Sequence, residues 1–61
     1  MTSKRIIRVR ERLGLTQQQL ADKIGAHQVS VARWETGKVK PHGANLKALN
    51  ELEEKAKKKK S

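Results

Sequence analysis

Apolar residues recur along this chain at intervals of three and four, and no stretch alternates as a strand does. Ile6, Val9 and Leu13 form the first run. Their spacing predicts a helix over about 3–13, closed by Gly14. Leu20, Ala21 and Ile24 form the second, ended by Gly25. Thr16 precedes it with Gln19 three residues on, the capping-box spacing, so the predicted helix is 17–24. Val31 and Trp34 share one face of a third helix, about 28–36, stopped by Gly37. Lys38 to Gly43 reads as a loop around Pro41. Leu46, Leu49, Leu52 and Ala56 then line one face of a last helix. Glu51–Lys55, Glu53–Lys57 and Glu54–Lys58 are i,i+4 pairs in the favourable order, so this helix is expected to run well into the lysines that end the chain.

The third helix has an unusual outer face. Opposite Val31 and Trp34 stand Gln28, Val29, Ala32 and Arg33, where a solvated surface would carry Glu and Lys. Two short helices joined by a glycine-containing turn make a helix-turn-helix. That geometry requires a small residue at the crossing (Ala21), a residue able to take a left-handed turn (Gly25) and an apolar anchor on the second helix (Val31). A helical hairpin without a nucleic-acid role would share this spacing.

Composition narrows the picture. With 61 residues, no cysteine and one aromatic residue, Trp34, the core is small and aliphatic, and no disulfide or thiolate metal site supports it. The net charge is +9. Five of the basic residues lie in the lysine-rich tail, 55–61, and the domain at 1–54 keeps ten basic against six acidic residues. An excess of positive charge on so small a domain points to a polyanionic partner. No apolar run approaches a membrane span or a signal peptide, so a cytoplasmic protein is expected. His27 and His42 are too isolated to suggest metal, and nothing in the sequence implies a cofactor. A nucleophile–base set and a phosphate-cradling loop are also missing from the pattern, so no enzyme is implied.

Residues 15–41, LTQQQLADKIGAHQVSVARWETGKVKP, resemble the Cro/repressor-type helix-turn-helix domain of lambdoid phage repressors and many bacterial regulators. The likeness rests on Leu15-Thr16-Gln17, Leu20-Ala21, Ile24-Gly25 and Trp34-Glu35-Thr36-Gly37, with Pro41 closing a basic loop. It implies an all-α, compact four-helix, lambda repressor-like fold. Where relatives often carry a fifth helix this chain has the lysine-rich 55–61, so that helix is either missing or replaced by a continuation of the last one. It also implies a sequence-specific double-stranded DNA-binding regulator, bacterial or phage-encoded and associated with the nucleoid. Such a protein would act as a repressor, with a homodimer on a palindromic operator as its assembly. In such proteins the second helix of the motif enters the major groove. The resemblance then gives Gln28, Val29, Ala32 and Arg33 base-reading roles, and makes Gln17, His27, Ser30, Lys38 and Lys40 phosphate contacts. Gln17 also braces the reading-helix glutamine in this family, and Arg10 and Glu35 occupy positions that form a structural ion pair.

Two departures stand out. His27 occupies the place where relatives cap the reading helix with Ser or Thr. His42-Gly43-Ala44-Asn45 replaces the usual capped start of the next helix, which is expected to be looser or to begin at Asn45. The same fold also serves as a protein-interaction module, in antitoxins and coactivator adaptors, and this is the alternative function. A third is non-specific nucleic-acid binding through the lysine tail.

Overall fold

The computed structural model describes residues 1–58. Thr2 opens the first helix, α1 (Ser3–Arg12), its hydroxyl accepting from the Arg5 amide at 3.2 Å. Thr16 caps α2 (Gln17–Ile24) from both directions: its hydroxyl accepts from the Gln19 amide at 3.1 Å, and its own amide donates to the Gln19 side chain at 2.8 Å. Two orphan amides of the first turn are thereby satisfied. Gly25 ends α2 at φ 73° and ψ 31°. A Cβ built there meets nothing within 4 Å, so conformation, not crowding, selects glycine.

The next helix, α3 (Gln28–Thr36), starts at His27, whose side chain makes no cap hydrogen bond. It ends at Gly37, φ 82°, where the Gly37 amide donates to the Trp34 carbonyl and the Lys38 amide to that of Arg33. The last helix, α4 (Ala44–Lys58), begins at Ala44, one residue before the position expected for it. No strand occurs among the described residues, and the fold is an all-α helix-turn-helix globule. Residues 59–61, the end of the lysine-rich tail, lie outside the described part.

Ile6, Val9, Leu20, Ala21, Val31, Trp34, Leu49 and Leu52 form one buried cluster to which all four helices contribute. Ala21 is fully buried, so the small side chain lets α2 and α3 cross closely. Two expectations need correction. Leu46 is only partly buried and lies beside an open groove with Lys47, Asn50 and Glu51, because the core-facing row of α4 settles on Leu49, Leu52 and Ala56. The i,i+4 pairing on α4 is also replaced: Glu53 turns to Arg5 on α1, and Lys57 approaches Glu54 at i,i+3, 3.8 Å away. A guanidinium that can hold both carboxylate oxygens outcompetes a single exposed ammonium.

Candidate nucleic-acid interface

The anchor of α3 is its inward row, Val31 and Trp34, both buried. The Trp34 indole is therefore part of the core and not a surface for stacking. Turned outward are Gln28, Val29, Ala32 and Arg33, which line a shallow recess of about 240 Å³ with Thr36 and Lys38. Val29 is 55% exposed, an apolar side chain left uncovered at the centre of this face. Thr36 was not anticipated from sequence, although its place four residues after Ala32 puts it on the same face. Its hydroxyl donates to the Arg33 carbonyl at 3.0 Å. Lys38 reaches the recess because its backbone folds over the end of α3, its amide on the Arg33 carbonyl at 3.1 Å.

Behind this face runs a chain of polar contacts through three helices. Arg10 of α1 donates from Nε to Glu35 Oε2 at 2.7 Å, from Nη2 to Glu35 Oε1 at 3.3 Å and from Nη1 to the Leu15 carbonyl at 3.1 Å. Hydrogen bonding to Glu35 is the main cause that raises the Arg10 pKa, with burial opposing it. Gln17, the first residue of α2, donates from Nε2 to Glu35 Oε1 at 2.9 Å. Gln28 donates from Nε2 to Gln17 Oε1 at 2.7 Å.

The direction of this relay follows from its fixed end. An ionised carboxylate only accepts, so Gln17 must present its NH₂ to Glu35 and its oxygen to Gln28. Gln28 must then give one N–H inward. Its own carbonyl oxygen and its second N–H remain for an outside partner. Glu35 thus orients two amides whose rotation would otherwise be undecided. The Gln17–Glu35 bond is invisible to helical periodicity, because it joins residues on different helices.

The other singled-out residues are less closely gathered. Ser30 is partly buried, and His27 is exposed at the start of α3. Lys40 is exposed in the loop, its carbonyl in contact with His42 Nδ1 at 3.2 Å. Val39, 43% exposed between the two loop lysines, adds a second uncovered apolar residue. Among the described residues no group of three or more His, Cys, Asp or Glu side chains comes together as a metal site.

A family model described as helix-turn-helix matches residues 6–52, well over half of the chain. The chain belongs to the Cro/repressor-type helix-turn-helix family. The domain of this family is DNA-binding and regulatory, not catalytic. This helix-turn-helix chain is similar to the type II methyltransferase M.SsoII of Shigella sonnei, 46% identical over 43 residues that cover 66% of this chain and 11% of that protein. It is also similar to the mycobacterial cidal antitoxin MbcA of Mycobacterium bovis and Mycobacterium tuberculosis. There the identity is 48% over 42 residues, covering 69% of this chain and 37% of MbcA. The chain thus spans about a tenth and rather over a third of these relatives. No solved structure matches it. Among the described residues no helix is long and apolar enough to cross a membrane.

Proposed function

We propose that this helix-turn-helix chain is a sequence-specific double-stranded DNA-binding regulator that acts as a repressor by laying α3 in the major groove. The observation that carries the reading is the Arg10–Glu35–Gln17–Gln28 relay, which leaves one acceptor and one donor of Gln28 facing outward. That pairing suits the adjacent donor and acceptor of an adenine edge. Arg33 is matched to a guanine edge or a phosphate, and Val29 to a thymine methyl. Ala32 keeps the centre of α3 small enough for close approach.

Around this face, Gln17, His27, Ser30, Lys38 and Lys40 contact phosphates in this reading, and the N-terminus of α2 adds its backbone amides. Binding blocks a promoter and involves no chemical step. A homodimer would read a palindrome with half-sites about 34 Å apart. The bacterial cytoplasm and nucleoid are the compartment such a protein needs.

Selection of binding sites from random duplex DNA tests the proposal. Recovery of one enriched half-site, alone or as a palindrome, supports it. Binding without enrichment, governed by salt alone, would overturn it.

A second reading follows from the likeness to MbcA and from the open, mainly apolar groove beside Leu46 on α4. In that reading the domain is an interaction module of the antitoxin kind, and α4 holds a protein. The same selection separates the two, because a protein-binding module returns no DNA motif.

A further inference from the structure

Lys4, Arg8 and Arg12 recur every fourth residue and form one ridge along α1. Arg10 lies two residues from both Arg8 and Arg12, about 200° around the helix at 3.6 residues per turn. Arg10 is the residue that reaches α3, through Glu35. Arg8 and Arg12 therefore face away from α3. They open instead onto the seam with α4, where Arg8, Val9 and Arg12 line a recess of about 130 Å³ with Glu53, Ala56 and Lys57. Its residues are separate from those of the recess on α3.

This recess has an apolar floor and a cationic rim. Val9 and Ala56, 2% and 4% exposed, form the floor. Glu53 is its only carboxylate, and Arg5 occupies both oxygens through Nε and Nη2. Neither Arg8 nor Arg12 has a carboxylate within salt-bridge distance among the described residues, and Lys57 makes only an exposed contact with Glu54. Three cations thus surround a small recess whose one anion is already satisfied. The sequence continues the positive charge beyond it through Lys58, Lys59 and Lys60.

The shape favours one class of partner. A recess of this size with a Val and an Ala for its floor receives a small anionic group and offers no pocket for a bulky apolar anchor, which a protein partner would need. Arg8 and Arg12 repeat at about 6 Å along α1, four residues at 1.5 Å each. A ligand with regularly repeated charges and no apolar anchor, a phosphodiester backbone, matches that row.

We propose that the α1–α4 recess is a second phosphate-backbone site, which holds a nucleic-acid segment other than the one on α3. The site binds on its own. Bridging of two duplexes by one molecule additionally rests on the reading of α3 given above.

The test is amide-shift mapping of the full chain titrated with a short random-sequence duplex. Wild type, Gln28→Ala/Arg33→Ala and Arg8→Gln/Arg12→Gln are compared, the last retaining Arg5 and its hold on Glu53. Shifts at residues 8–12 and 56–58 that survive the first double substitution and vanish with the second support the proposal. The slope of log affinity against log salt should also fall by about 1.5–2 when both arginines are neutralised, near 0.9 for each phosphate released. Shifts confined to α3 and its loop overturn it. So do recess shifts produced by a poly-glutamate peptide and not by the duplex, which would assign the site to an acidic protein. Failure of the α3 reading alone has a different signature: shifts at the recess with none at residues 28–33. The wild-type map requires no variant to fold.

Discussion

Arg5 and Arg10 both grip a glutamate through Nε and Nη2, Arg5 that of Glu53 on α4 and Arg10 that of Glu35 on α3. The chemistry is the same and the surroundings are not. Side chains of the outer pair are 45% and 14% exposed, those of the inner pair 20% and 6%. The outer pair joins two helices and ends there. The inner pair continues, Arg10 to the Leu15 carbonyl and Glu35 to Gln17 and so to Gln28. A part-buried pair costs more to break than an exposed one, because removing one partner leaves the other's charge with less water to replace it. Water screens the exposed pair and makes its loss mild. The protein has thus placed its more consequential arginine clamp directly behind the surface proposed to read DNA.

Removing the inner carboxylate should have the largest effect. Glu35→Ala leaves Arg10 unpaired and Gln17 without its acceptor, and should lower stability by about 2–3 kcal/mol in urea denaturation. Glu53→Ala should lose well under half as much in the same assay, and less still at high salt. Equal losses would erase the distinction between the two pairs.

On the binding side, Gln28→Ala should weaken the preferred site by about 1–3 kcal/mol and relax preference at one base pair. Titration of wild type and variant against single-base-pair variants of that site provides the check. A uniform loss on every duplex argues against base reading.

His27→Ser should raise stability by about 0.5–1 kcal/mol, because a hydroxyl would supply the cap that the imidazole does not. Thermal unfolding measures it. An unchanged midpoint would mean that the start of α3 gains nothing from a cap. If His27 contacts phosphate, the same substitution weakens all duplexes alike.

The smallest effect concerns acid. Hydrogen bonding from Arg5 is the main cause that holds the Glu53 carboxyl below its ordinary range, with burial opposing it. A depressed folded-state pKa gives stability that is present above the ordinary carboxylate value and lost as pH falls through the folded one. Glu53→Gln should therefore flatten the decline in stability from about pH 5 toward 3. A decline as steep as in wild type would show that other carboxylates govern it.

Much of this molecule was legible in its sequence because the determining interactions are local. Thr16 and Gln19 cap within one turn, Gly25 and Gly37 end helices by their own backbone freedom, and the apolar rows follow helical period. Structure departs from sequence pattern where residues compete over long range. Glu53 sits four residues before Lys57, yet it turns to an arginine 48 positions away. Leu46 belongs by spacing to the inner row, but the rotation of α4 against α1 and α2 decides what is buried. Thr2 caps α1 through its hydroxyl, although no glutamate or glutamine stands three residues on to complete the capping-box pattern. Within the interface, the outward set on α3 follows from periodicity. The bond from Gln17 to Glu35, which orients Gln28, depends on how α2 meets α3.

A double-substitution cycle between Gln17 and Gln28, measured as affinity for the selected site and for its single-base-pair variants, tests the relay most directly. If Gln17 aims Gln28, Gln17→Ala should lose discrimination at the same base pair as Gln28→Ala. The two losses should then overlap, with a coupling of about 1 kcal/mol. Additive losses, with Gln17→Ala weakening every duplex equally, would contradict the account and leave Gln17 as a phosphate contact alone.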